Sequence, residues 1–165
     1  MIFQKYYKKI KGDYTMQLTQ KETSLLKDLK EQENLCADKY AKHAECAKDA
    51  QLKNLLSSLS TVEREHYNTL TQIESGTVPA PSQSSKPAPT FSATYAGGCT
   101  PEKQNDMYIC SDLLATEKHA SHLYDTCIFE FQDENVRNML NHIQKEEQGH
   151  GKMLYDYMKT NGMYS

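Results

Sequence analysis

Residues 19–76 and 103–160 are two versions of one segment. Laid over each other without a gap at an offset of 84, they share Gln20/Gln104, Asp28/Asp112, Leu29/Leu113, Glu33/Glu117, Tyr40/Tyr124, Asp49/Asp133, Asn54/Asn138, Leu56/Leu140, Glu63/Glu147, His66/His150 and Leu70/Leu154. That is eleven identities in 58 positions, against roughly four expected by chance. Only three of the eleven are leucines; the rest are polar or tyrosine. A chain that repeats itself at this length is built from two copies of one supersecondary unit, related by a pseudo-two-fold axis.

The unit is an αα-hairpin. In the first copy Leu25, Leu26, Leu29, Cys36, Tyr40 and Ala44 recur at three- and four-residue steps, the spacing of one helical face. Leu52, Leu55, Leu56, Leu59, Val62, Leu70 and Ile73 form the next stripe, with Asp49 placed as an N-cap between them. In the second copy the stripes are Ile109, Leu113, Leu114, Leu123, Tyr124 and Ile128, then Val136, Met139, Leu140, Ile143, Met153 and Leu154, with Asp133 as the cap. Gly76 closes the first hairpin and Asn161-Gly162 the second. Residues 76–101 hold all five prolines and three of the seven glycines, the composition of a linker. The predicted organisation is an N-terminal extension over 1–18, then an all-α four-helix bundle over 19–165. Within the bundle, hairpin 1 covers 19–75, the linker 76–101 and hairpin 2 102–162. Helices of this length are about 40 Å long. The linker reaches that far when half extended, so it permits a long crossover with the second and third helices parallel.

A formal net charge of -3 gives no basic stripe for nucleic acid. No apolar run approaches the roughly 20 residues of a membrane span. Lys5, Lys8 and Lys9 interrupt the N-terminus, which is no secretory signal, so synthesis in the cytosol is expected. Lys11-Gly12-Asp13 is encodable as a purine-rich ribosome-binding sequence, which places the natural start at Met16 and makes 1–15 translated leader; the other reading is a short disordered arm. The five cysteines form no C-x-x-C pair, which argues against a zinc knuckle or rubredoxin-type site. They are expected to be reduced and mostly buried, with Cys99 exposed. Nucleotide-binding and nucleophile motifs are absent.

The repeated polar residues converge. Glu33 lies about 15 residues before the hairpin turn at Lys48-Asp49, and Glu63 and His66 lie 14 and 17 residues after it. In an antiparallel hairpin these three meet at one height, on or beside the apolar stripe, and Glu117, Glu147 and His150 do the same in the second copy. Four carboxylates and two imidazoles then face one another in the bundle's middle. Unpaired, such a set resists desolvation. Two divalent metal ions balance the four negative charges, with each histidine adding a neutral nitrogen ligand. One Glu from each of two helices plus Glu-x-x-His from each of the others is the arrangement of di-metal carboxylate bundles. Tyr40 and Tyr124 are either hydrogen-bond partners of the ligands or plain core aromatics. His43, His119, His122 and His142 lack repeat partners and are expected at the surface or satisfied elsewhere. Glu31, Glu65 and Glu146 are expected on solvated faces. Gly149 and Gly151, flanking His150, point to close backbone packing or to access.

Through E-x6-Y followed by E-x-x-H, present as Glu33/Tyr40/Glu63/His66 and Glu117/Tyr124/Glu147/His150, both blocks resemble the ferritin-like superfamily, especially its rubrerythrin-type members. The second block, from "DLLATEKHASHLYDTC" to "YDYMKTNGMY", also resembles the spore coat protein F family (Coat F domain). These resemblances imply iron or manganese as the metal, Glu63 and Glu147 as bridging ligands, and a place in the spore coat beside other coat proteins or as a self-associated dimer. Rubredoxin cysteines and an extra glutamate for a ligand switch are missing. Two functions stay open: a di-iron or di-manganese protein that reacts with peroxide or dioxygen, and a structural coat component cross-linked through tyrosine and cysteine.

Overall fold

The computed structural model describes residues 16–81, 88–95 and 97–164; the expected leader, residues 1–15, lies outside them. The chain is an all-α four-helix bundle, with no strand among the described residues. Its helices are α1 (Gln20–Cys46), α2 (Ala50–Glu74), α3 (Pro101–Glu130) and α4 (Glu134–Thr160). None of them is long and apolar enough to cross a membrane.

Each helix starts where a short side chain satisfies free amide groups of its first turn. Thr19 and Glu22 form a capping box on α1. Asp49 accepts from Gln51 N at the head of α2, and Asp133 accepts from Asn135 N and Val136 N at the head of α4. Thr100 caps α3, and Pro101 occupies its first turn, where no amide proton is needed. Pro101 is thus a helical residue rather than the end of the linker, one position earlier than expected. Gly76 and Gly162 follow α2 and α4 at φ +87° and +60°, left-handed values that glycine adopts without strain.

Contacts along the chain give the topology. Lys21 pairs with Glu130 at one end of α1, and Lys48 N donates to Asp106 just past the other end, so α1 and α3 are antiparallel. His66 meets Glu146, and His150 meets Glu63, so α2 and α4 are antiparallel as well. Because α1 and α2 form a hairpin, α2 and α3 must run the same way, as the long linker permits. The linker returns along the bundle. Val78 packs on the cluster at its start, and the Phe91 ring meets Tyr157 edge-on at 5.5 Å. Thr94 Oγ1 donates to Asp49 and Tyr95 Oη to Asp106 at its end. Limited subtilisin digestion is expected to cut first in this Pro- and Gly-rich linker, between Gly76 and Pro101. Earliest cuts inside α2 or α4 would contradict this layout.

Two apolar clusters fill the bundle. One holds Leu52, Leu56, Leu59, Leu113, Leu154 and Tyr157, and the other Leu26, Leu29, Leu70, Val136, Leu140 and Ile143. The two hairpins also hold each other's turns. Buried Asp106 of α3 accepts from Lys48 N and Asp49 N, at 2.8 and 2.9 Å, in the first turn. Buried Glu22 of α1 accepts from Gln132 N at 2.8 Å in the second. Glu22 and Asp106 are 84 residues apart, as are Lys48 and Gln132, so the two contacts are one contact repeated.

Candidate metal centre

A polar layer lies between the two clusters. Glu33 projects from α1, Glu63 and His66 from α2, Glu117 from α3, and Glu147 and His150 from α4. Each Glu-x-x-His pair spans three residues, which puts both side chains on one helical face. All six are buried: Glu33, Glu63 and Glu147 are 0% exposed and the other three 3%. The structure therefore brings every one of the six sequence-predicted residues to one place.

Their donor atoms fall into two overlapping groups. One atom from each of Glu33, Glu63, His66 and Glu147 lies within 4.8 Å of the others, and so does one from each of Glu63, Glu117, Glu147 and His150. Glu63 and Glu147 belong to both groups. His66 Nδ1 is 2.9 Å from Glu147 Oε1, 3.2 Å from Glu63 Oε2 and 3.6 Å from Glu33 Oε2. His150 Nδ1 is 2.8 Å from Glu63 Oε1 and 3.9 Å from both Glu117 Oε2 and Glu147 Oε2. The imidazole rings stack with centroids 5.7 Å apart.

Of these short approaches, the one from His66 Nδ1 to Glu63 Oε2 is a hydrogen bond, and the others are not. Glu33 Oε2, Glu63 Oε1, Glu117 Oε2, both oxygens of Glu147 and His150 Nδ1 have no hydrogen-bond partner among the described residues. Glu63 Oε1 and His150 Nδ1 are close, yet their approach angles do not suit a bond. Buried polar atoms are paired in most proteins, and each orphan costs roughly 1–3 kcal/mol. Six at one spot, five carboxylate oxygens and one imidazole nitrogen, suit a cation that accepts their lone pairs. The donor set, four carboxylates and two imidazoles, fits two divalent transition ions in charge and chemistry.

The surrounding groups hold the layer in place. Tyr124 Oη donates to Glu33 Oε1 at 2.5 Å, and Tyr40 Oη donates to Glu117 Oε1. Each tyrosine thus grips the carboxylate of the opposite hairpin, not that of its own. Burial, then the nearby carboxylates, push both phenols well above their ordinary pKa, so they stay donors. His66 Nε2 lies 3.0 Å from Glu146 Oε2. That bond places a proton on Nε2 and turns Nδ1 toward the layer.

Without a cation, burial dominates the carboxyl groups. It raises Glu33 and Glu147 to about 7, against the opposing influence of the nearby His66 imidazole, and Glu117 to about 10, with the Glu147 charge adding to the rise. Glu63 differs: burial would raise it too, but the close imidazoles of His150 and His66 prevail and hold it below the carboxylate range. Burial works against charge on His66, yet the carboxylates around it, Glu146, Glu147, Glu33 and Glu63, keep its pKa well above the usual value.

Some expectations need correction. Glu146 is not on a solvated face, because it is half-buried against His66 and 3.5 Å from His142 Nε2. His43 pairs with Asp112, whereas His119 and His122 are exposed. Neither glycine beside His150 is required by close backbone packing: a Cβ at Gly149 would meet nothing within 4 Å, and one at Gly151 would touch Leu114 Cδ1 at an ordinary 3.5 Å. Cys36, Cys110 and Cys127 are buried, while Cys46 is exposed along with Cys99. Cys36 sits one turn from Glu33; burial first, and then the four carboxylates, push its thiol far up, so it stays protonated.

Fold and site together define a helical bundle of two repeated hairpins around a buried carboxylate–imidazole layer. Within it, residues 105–165 match the Coat F domain of the spore coat protein F family, which takes in most of α3 and all of α4. The chain is also similar to the uncharacterized protein YusN of Bacillus subtilis (strain 168), 35% identical over 66 residues, 40% of this chain. That alignment spans 60% of the relative's length. No solved structure matches the chain.

Proposed function

We propose that the chain is a spore-coat-associated, ferritin-like protein whose buried layer holds two iron or manganese ions and reduces hydrogen peroxide or dioxygen. The observation that carries this reading is the set of six buried donor atoms that are close together yet bonded to nothing in the described structure. The Coat F match supports the association with the coat and its proteins. The ferritin-like relationship is supported by the parallel second and third helices and by the four-glutamate, two-histidine donor set.

Glu33 and His66 would serve one ion, Glu117 and His150 the other, and Glu63 and Glu147 both. When bound, such ions supply the electrons and Lewis acidity with which an oxidant is reduced. The chain's own residues do the positioning. Tyr40 and Tyr124 fix one oxygen of each terminal carboxylate and leave the other toward the layer. Glu146 fixes the tautomer of His66. The leucine clusters on both sides keep bulk water out, so charge in the layer is felt at low dielectric.

The test is stopped-flow absorbance of the reduced, metal-loaded protein mixed with hydrogen peroxide. At least one equivalent consumed, with an optical change, is the expected result. His66→Ala and His150→Ala are each expected to abolish it while helical content stays, because a donor is lost and the leucine stripes are not. The competing reading is a coat component cross-linked through exposed Tyr108, Tyr164, Cys46 and Cys99. It predicts no peroxide consumption by loaded protein.

A further inference from the structure

The layer is two-fold, but its surroundings are not. On α4, positions 142 and 146 carry His142 and Glu146; their counterparts on α2, 84 residues earlier, are Ser58 and Val62. Beside His142 and Glu146 a groove of ≈ 140 Å³ lies between α2 and α4 and reaches His66. Glu65 and Thr69 line it from α2, and Pro79 and Ala80 of the linker form part of its rim. No lysine or arginine is among its described lining residues. Glu146 spans the wall: its side chain is 37% exposed, and its Oε2 lies 3.0 Å from Nε2 of buried His66 and 3.5 Å from Nε2 of His142.

We propose that this groove is the route by which a divalent cation enters the layer, with Glu146 and His142 as a transit site; the inference rests on the reading of the layer as a metal centre. A cation leaving water must exchange its hydration shell ligand by ligand, and a path without donors is closed to it by desolvation. Here carboxylate and imidazole donors follow one another from exposed Glu65 through His142 and Glu146 to His66. Two carboxylates in a concave, partly dry site also focus a negative potential, which concentrates cations at its mouth. The pseudo-symmetric position offers no equivalent, since a hydroxyl and a valine replace the histidine and the glutamate.

Uptake kinetics test the route separately from the centre. Chelator-stripped full-length chain is mixed with Co(II) in a stopped-flow instrument, the ligand-field absorbance gives the rate, and elemental analysis after gel filtration gives the amount bound. Thr69→Trp and Ala80→Trp, which fill the groove, and His142→Ala, which removes a transit donor, are each expected to slow uptake at least about tenfold with two ions still bound at the end. Ser58→Trp, on the exposed counterpart of His142, is expected to load at the wild-type rate. Glu146→Gln is expected to slow uptake; a change in release alone would mean that Glu146 only orients His66 and would overturn the transit site. If the groove-filling variants load as fast as wild type while both ions bind, the route is wrong and the centre stands. Wild type that takes up no Co(II) would overturn both.

Discussion

Chelator-stripped protein is expected to lose thermal stability as the pH rises from about 5 to about 8, and metal-loaded protein is not. The sign follows from the groups in the layer. Glu33, Glu147 and Glu117 have folded-state pKa values raised above the unfolded carboxyl value, to about 7, about 7 and about 10. Such groups favour the folded chain below the unfolded pKa, and that contribution is lost as pH climbs through the folded one. His66, also raised, acts in the same direction. Glu63 is lowered, so it weakens the fold only under more acidic conditions, outside this window. Metal binding reverses the slope, because cations displace the protons and bind more tightly as pH rises. With free metal 100-fold above Kd, each site adds about 2.7 kcal/mol, so two sites raise Tm by about 10–20 °C in a chain of this size. Parallel melting curves for stripped and loaded protein across this pH range would show that the layer does not bind metal.

Replacing Glu63 or Glu147 by alanine is expected to empty both sites, taking the metal content from two ions per chain to none. Either residue belongs to both donor groups, so its loss takes one of the four donor residues from each and leaves three carboxylates to balance two divalent ions. Glu33→Ala and Glu117→Ala provide the contrast. Glu33 stands only in the group with His66, and Glu117 only in the group with His150, so each of these variants is expected to keep one ion. Elemental analysis after loading with ferrous or manganous salt reads the difference, and circular dichroism confirms that the helices remain. Glu63→Ala protein that still holds two ions would remove the basis for assigning it to both sites.

The helices and the six polar residues were legible in the sequence because their signals are local or repeated. Asp49 and Asp133 cap amides two or three residues away, and the ligand candidates recur at an offset of 84 with their spacing intact. Features that depend on another helix were hidden. Tyr40 lies seven residues after Glu33, about 10 Å along the helix, too far for a bond. Its partner is Glu117, supplied by the antiparallel α3. Glu146 has no repeat signal, since its counterpart is Val62, and its contact with His66 exists only because α2 and α4 face each other. Glu22 reads as an ordinary acid of a first helical turn, favoured there by the helix dipole, and Asp106 as one acid among several near the head of its helix. That both positions are acidic at the repeat offset was the available sign of their shared task.

The reciprocal contacts carry a consequence for how such a protein can be assembled. Asp106 holds the turn of the first hairpin and Glu22 that of the second, while Tyr40 and Tyr124 cross in the same manner. A lone hairpin therefore owns one half of every such contact: a carboxylate without its turn, a turn without its carboxylate, a tyrosine without its glutamate. Two identical hairpins placed about a true two-fold axis would satisfy one another in full. The single chain is in this sense a covalently tethered dimer. The tether frees its two halves from identity, and one carries Ser58 and Val62 where the other carries His142 and Glu146.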